Sequence, residues 1–544
     1  MKINFKTTAA VAVALFIINA ASMAQQMPAK TVDLPKNWHT LDLQKDGYFG
    51  VSLNQAYDFL KGKKSSTVVV ATIDSGVDTL QKDLQPILWV NTHEKAGNGK
   101  DDDHNGYIDD IHGWNFLGGP NNKCDVNETT EEVREYYRLK DKYATITTAS
   151  AAPNKAEYIY WMKVKAIRDS TVSKSQTELN QLSPLMNALV TTDAYLKKSL
   201  NLKAGQSFTK NDLNKLDSKN DTLTQSKYIW GLIFQDADNA KTDTKTITEL
   251  NEYITKLNND VNPDLDSRKR VVGDNPNDIN DKVYGSNQLK FDDASHGTGV
   301  AGLIGAIRNN GYGIDGIADN VRIMAIKAVP NGDEYDKDIA NAIRYAVDNG
   351  AKVVNMSFGK KISPHKKWVD DAIKYAADND VLLVQASGND NQDVDAKPEF
   401  PNDTFLDGTT SNNLISVGAS GALKDENLAA TFSNYGKKSV DVFAPGVKVT
   451  SIDKDAEFNT ADGTSFASPI TAGIAALVLE YYPTLSARQL KEVILESAKP
   501  LQMQVIKPGS KEKVDFTTLS KTGGVVNALE ALKAASTMKG ERKR

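Results

Sequence analysis

The chain has 544 residues, 40% hydrophobic and 25% charged, with a formal net charge of −5 at pH 7. That is the composition of a globular protein with a large core, and it lacks the basic stripe that nucleic-acid binding calls for. The single cysteine, Cys124, excludes an intramolecular disulfide and reads as a free, partly buried thiol, so stability has to come from core size and bound metal.

Residues 1–24 have the form of a signal peptide. Lys2 and Lys6 precede the short apolar run AAVAVALFIINAA, and Ser22-Met23-Ala24 offers small residues for cleavage after Ala24. The run is too short to span a membrane comfortably. Export to the periplasm or the medium is expected, without stable membrane insertion. Residues 67–73 (TVVVATI) are a continuous β-branched run of the kind found in strands buried on both faces, and the run ends on Asp74.

Residues 101–110 (DDDHNGYIDD) follow the opening of an EF-hand-type loop. Asp101, Asp103 and Asn105 place side-chain oxygens at alternate positions, Gly106 allows the sharp turn, and Tyr107 offers its backbone carbonyl. The loop's last position is His112 rather than Glu, so Asp109 or Asp110 has to compensate. The expected ligand set is Asp101, Asp103, Asn105, Tyr107, Asp109 and Asp110, holding a structural Ca²⁺.

The texture then changes. Segments 131–143, 155–168, 175–200, 211–216 and 247–258 are polar and rich in Lys, Glu, Leu and Tyr, with apolar residues such as Leu179, Leu182, Met186 and Leu189 at helical intervals. They predict a mostly α-helical insertion over 125–270. From about 291 to 535, predicted strands at 321–328, 352–356, 381–385, 415–417 and 440–443 alternate with helices at 339–349, 367–378 and 470–482. A further helix opens on the capping box Ser486–Gln489. The fold class is therefore α/β, a three-layer arrangement of a mostly parallel sheet covered by helices on both faces. Residues 25–124 and 271–536 share it, and 537–544 form a frayed basic tail. Functional groups belong at the carboxyl ends of the strands, where Asp74 and Ser357 fall.

Four strings carry chemistry: IDSGVD at Asp74, HGTGVAG at His296, ASGND at Asn389 and GTSFASP at Ser465. A serine hydroxyl needs a base to take its proton, and the base needs a carboxylate to orient it. Ser465 precedes an apolar helix, whose N-terminus favours developing negative charge. Of six histidines, His39, His93, His104, His112 and His365 lie in polar or loop-like contexts and face solvent or support other groups. His296 alone opens a run of small residues that lets a helix pack tightly. Asn389 ends a second buried strand, where its amide and the Ser465 N–H are a natural pair of oxyanion donors.

In this order the four strings resemble the subtilisin-like serine proteases, which share the Asp…His…Ser chain order. TFSNYG at 431–436 and VFAPG at 442–446 extend the resemblance. It implies a serine endopeptidase acting on polypeptides, with Asp74, His296 and Ser465 as triad and Asn389 in the oxyanion hole. It implies that Ser357, Phe358 and Gly359 pair with substrate backbone, and that Ser387 and Gly388 also bind substrate. Matching to the family puts Glu399 near the floor of the first substrate pocket, favouring Lys or Arg before the scissile bond. Gly299 and Phe466 stand where the family usually has His and Met; neither removes a proton-transfer group. Two rivals remain, a catalytically silent protein working through its helical insertion and the related acid-acting chemistry with a Glu base. The insertion is expected to act as a lid or partner-binding element.

Overall fold

Val68–Asp74 (β1) lies at the heart of a seven-stranded parallel sheet. In chain order the other strands are β2 (Gly113–Asn115), β3 (Val321–Lys327), β4 (Val353–Met356), β5 (Leu382–Ala386), β6 (Leu414–Ser420) and β7 (Val442–Pro445), and they lie side by side as β2-β3-β1-β4-β5-β6-β7. The computed structural model describes residues 34–217, 220–235 and 241–542. The leader reading of residues 1–24 lies outside them.

Alternate residues along each strand enter two separate cores, as a period of two requires. Val68, Val70, Ile323, Val353, Leu382 and Val442 face helices α1 (Ser295–Gly305), α4 (Thr464–Tyr481) and α5 (Ala487–Ser497). Ala71, Ile73, Met324, Ile326, Val354 and Leu383 face α2 (Asp336–Asp348) and α3 (Lys366–Asp378). The strands are covered on both faces, which is why their sequences read as unbroken apolar runs. The Ser486 cap of α5 makes both reciprocal bonds with Gln489.

Residues Glu132–Asp264 form a compact unit of their own. It holds a 45-residue helix, Lys155–Ser199, where the sequence pattern suggested two, together with Asp221–Ile233 and Asp243–Val261. No named strand occurs among its described residues. Trp230, Phe208 and Phe234 make one of its small cores, and Tyr143, Tyr158 and Trp161 another.

Two expectations are corrected. The basic tail is pinned rather than frayed up to Arg542: Glu541 N–H donates to Gln489 Oε1 at 2.9 Å, and Arg542 Nε to Leu485 O at 2.9 Å. His39 does not face solvent. It is 2% exposed within the short turn Trp38–Thr40, and burial pushes its imidazole down to about 4.

Candidate active site

Asp74 is 2% exposed at the carboxyl end of β1. Its Oδ1 accepts from the Ser75 N–H at 2.7 Å and from His296 Nδ1 at 2.7 Å. A carboxylate only accepts, so Nδ1 carries the proton and the neutral ring keeps its lone pair on Nε2. Burial pulls the imidazole toward its neutral form, but the Asp74 charge and hydrogen bond outweigh it and hold His296 above the usual imidazole value. The ring is still 40% exposed, so its outer nitrogen is open to a reactant.

The sequence makes this approach possible at Gly297. A Cβ there would stand 2.1 Å from Gly76 O and 3.2 Å from the Asp74 Cβ, so only glycine lets α1 come this close to β1. The turn after Asp74 is braced by Lys327, which is fully buried. Its Nζ donates to Ser75 O at 2.6 Å and to the Asp293 carboxylate, while Ser75 Oγ donates to Asp293 O at 2.8 Å.

Ser465 lies in the first turn of α4 and is half-buried. The His296 ring meets the edge of Phe466 with centroids 6.2 Å apart, which puts α4's first turn beside the dyad. Pro469 has no N–H, so the Ser465 carbonyl loses its partner in the helix. Ser357 Oγ supplies the replacement at 2.9 Å. Asn355, fully buried on β4, holds that hydroxyl through Nδ2 at 2.9 Å and accepts from Ser468 Oγ at 2.7 Å. Among the described residues no hydrogen bond engages the backbone of Ser357, Phe358 or Gly359, leaving that segment free to pair with an extended chain.

Across from it, Asn389 Oδ1 accepts from the Thr464 N–H and from Thr464 Oγ1, both at 2.9 Å. An N–H can meet only the amide oxygen, so the Asn389 NH₂ points elsewhere as a free donor. Gly388 N–H donates to Thr464 Oγ1 at 3.2 Å. Asn434, fully buried, clamps this loop: its Oδ1 accepts from Asp390 and Gln392 N–H, and its Nδ2 donates to Ser387 O. The two candidate substrate walls, 357–359 and 387–389, are thus both tied to Thr464–Ser465.

The acidic loop is brought together only in part. Oxygens of Asp101 and Asp103 lie within 4.8 Å of each other and of Glu94. Asp101 also accepts from the N–H groups of Asn105 and Gly106, and Gly106 sits at φ +98°, where its lack of a Cβ is needed. Asn105 spends its Oδ1 on the Tyr107 N–H. Asp109 and Asp110 do not join the cluster. The Asp109 carboxylate caps the N–H groups of Asn98 and Gly99. Asp110 is fully buried, pushed up to about 6 by that burial against hydrogen bonds from Tyr345, Asn91 and Asn105.

Residues 65–524 match the Subtilase family, which is most of the chain. The chain belongs to that family. It is 32% identical over 271 residues to the cell wall-associated protease of Bacillus subtilis, covering 47% of this chain and 28% of the relative. It is 38% identical over 217 residues to the thermophilic serine proteinase of Bacillus sp. strain AK1, covering 40% of this chain and 48% of the relative. With subtilisin DY of Bacillus licheniformis the identity is 35% over 213 residues, 39% of this chain and 72% of the relative. This subtilase spans less than half the length of the first two.

Sequence reasoning missed Asn355, Lys327, Asn434 and Glu94. The first two carried a signal, since each is a polar residue within an apolar strand run and, where buried, must find a partner. The Cys124 thiol is pushed up to about 11 by burial, which removes it as a thiolate nucleophile at neutral pH.

Proposed function

We propose that this subtilase is an exported serine endopeptidase. The observation that carries the reading is the His296 Nδ1–Asp74 bond, which leaves Nε2 free as a base beside the first turn of α4. In the reaction Nε2 takes the Ser465 Oγ proton as the oxygen attacks the substrate carbonyl, and Asp74 stabilises the imidazolium that forms. The Asn389 NH₂ and the Ser465 N–H receive the oxyanion. Collapse passes the proton to the leaving amine and leaves an acyl-enzyme, which water clears by the same steps in reverse. Labelling of Ser465 by a fluorophosphonate, mapped by peptide mass, tests the assignment; a label elsewhere or none sinks it.

The oxyanion role makes a separable demand. Asn389→Leu is expected to lower kcat by about 10²–10³-fold with KM little changed, because the donor matters most once charge develops. A KM effect alone would reassign Asn389 to ground-state binding. Export rests on the leader-like residues 1–24 and on relatives named as cell wall-associated and extracellular proteases. Among the described residues no helix is long and apolar enough to cross a membrane.

The Glu94–Asp101–Asp103 cluster supports a structural Ca²⁺, since three carboxylates converge on one tight oxygen-rich loop. When bound, the ion would neutralise charges that otherwise repel. Calcium at a hundred times its Kd is expected to stabilise the fold by about 2.7 kcal/mol. Differential scanning calorimetry should therefore show Tm falling on chelation, with the shift lost in an Asp101→Asn/Asp103→Asn variant. A shift that persists in that variant places the ion elsewhere.

A further inference from the structure

β1 ends at Asp74, level with Lys327 of β3, while Ile73 is level with Met356 of β4. The chains that follow β3 and β4 both run on past that level. Between them lies the width of one missing strand, about 9–10 Å. Each side turns backbone groups into this gap. Lys360 exchanges both of its backbone hydrogen bonds with Phe400, in the loop after β5, each 2.9 Å, which also sets the preceding Glu399 against Gly359. Alternate residues of an extended segment point opposite ways, so Ser357 and Gly359 face the gap. On the other side, the N–H groups of Asn331 and Asp333 donate away from it, to Val126 O at 2.7 Å and Thr129 O at 3.4 Å. By the same alternation Glu334 faces the gap.

One side chain closes the far end. Lys360 is buried, and its Nζ crosses to Glu334 O at 2.6 Å, to Asp336 Oδ1 at 2.9 Å and to Glu131 Oε2 at 2.7 Å. Glu131, Glu334 and Asp336 are buried as well. Asp336 is held in turn by Ser363 Oγ at 2.9 Å and by the His365 N–H at 2.7 Å. The cavity left beside Lys360, Glu334, Asp336, Ile339 and Phe400 is about 10 Å³, room for one water and no side chain.

We propose that Lys360 ends the substrate channel, so that the enzyme reads three residues before the scissile bond and no fourth. This rests on the proposed role of Ser465 and sets how much of a polypeptide that site recognises. Ser357 Oγ is bonded to Ser465 O and marks the first residue. At about 3.3 Å per residue, an extended chain puts its third residue beside Gly359 and its fourth on Lys360. The leaving amine has to lie toward His296 Nε2, so the part of the substrate along 357–359 is the part before the bond. The N–H of a fourth residue would need the Glu334 carbonyl, which the Lys360 ammonium already holds in a charge-assisted bond. Pulling that ammonium away would also separate a buried cation from two buried carboxylates, a costly change. A longer chain therefore turns out to solvent after its third residue.

The test measures kcat/KM for acetylated peptide coumarin amides with one to five residues before the cleaved bond. The residue next to the bond is fixed from a random-library cleavage profile, and the added residues are alanine. In the parent we expect kcat/KM to climb on the order of 10–100-fold up to the third residue and to change less than about twofold with the fourth. Methylating the third residue's nitrogen, which pairs with Gly359, is expected to cost on the order of tenfold, and methylating the fourth's to cost nothing measurable. Lys360→Ser/Glu131→Gln removes one cation and one anion together. In it the fourth residue should gain on the order of tenfold, and methylating its nitrogen should begin to matter. A fourth residue worth tenfold in the parent overturns the inference, as does a cost on methylating its nitrogen. Ser465-dependent hydrolysis that is flat from one residue to five also overturns it and leaves the protease reading standing. A folded double variant with the parent's length profile removes Lys360 as the cause. If that variant does not fold, the parent's length series and methylation pair decide alone. Absence of Ser465-dependent hydrolysis of every peptide overturns both readings.

Discussion

Ser465→Ala is expected to lower kcat by on the order of 10⁶-fold, His296→Ala by a similar factor, and the double variant by no more than either alone. The near-equality follows from the geometry. His296 Nε2 has no proton to take once the hydroxyl is gone, and the hydroxyl is a poor nucleophile once the base is gone. Residual turnover above the uncatalysed rate, on the order of 10³–10⁴-fold, should remain in all three, because the Asn389 NH₂ and the backbone donors of α4 are untouched. The measurement is single-turnover hydrolysis of an activated peptide ester by purified variants whose melting curves match the parent. Additive losses in the double variant would mean that the two residues act in separate steps. Ser465→Ala keeping more than about one part in a hundred of the activity would move the nucleophile elsewhere.

The places of Asp74, His296 and Ser465 were legible in the sequence because each sits where local pattern already marks a boundary. The run 67–73 had to end where Asp74 begins, and the small-residue run after His296 had to be a tightly packed helix. Segments 357–359 and 387–389 were singled out by resemblance, but the bracing around them was not legible. Asn355 meets Ser468 across 113 positions and Asn434 meets Ser387 across 47. Nothing in a strand such as VVNM says which distant hydroxyl its Asn will hold. Likewise β2 is three residues long and carries no periodicity, yet it closes one edge of the sheet. The helical unit was misjudged where propensity is weakest: residues such as Asp169, Ser170 and Thr171 interrupt the apolar pattern, but Thr171 hydrogen-bonds Glu132 and the helix runs on. In the acidic loop the motif fixed spacing but not direction, so Asp109 and Asp110 turned to other partners while Glu94, which the loop motif does not include, turned in.

Asp74→Asn is expected to cost about 10⁴-fold in kcat with the fold intact. The reason is a proton in the wrong place. Asp74 Oδ1 already accepts from the Ser75 N–H, and as a carboxylate it can only accept from His296 Nδ1. An amide at this position can turn its NH₂ toward Nδ1, which puts the ring proton on Nε2 and removes the base from Ser465. The pH profile separates this from simple misfolding. In the parent, His296 is held above the usual imidazole value because Asp74 outweighs burial. Activity, which needs the neutral ring, therefore rises with pH through a midpoint above that value. In Asp74→Asn only burial is left, the charged ring is disfavoured, and the acid limb of kcat/KM should move to lower pH even as the plateau falls. A lowered plateau with an unmoved limb would mean that the carboxylate exerts no hold on the imidazole. Asp74 would then serve only as the turn residue that anchors Ser75 over the buried Lys327–Asp293 pair.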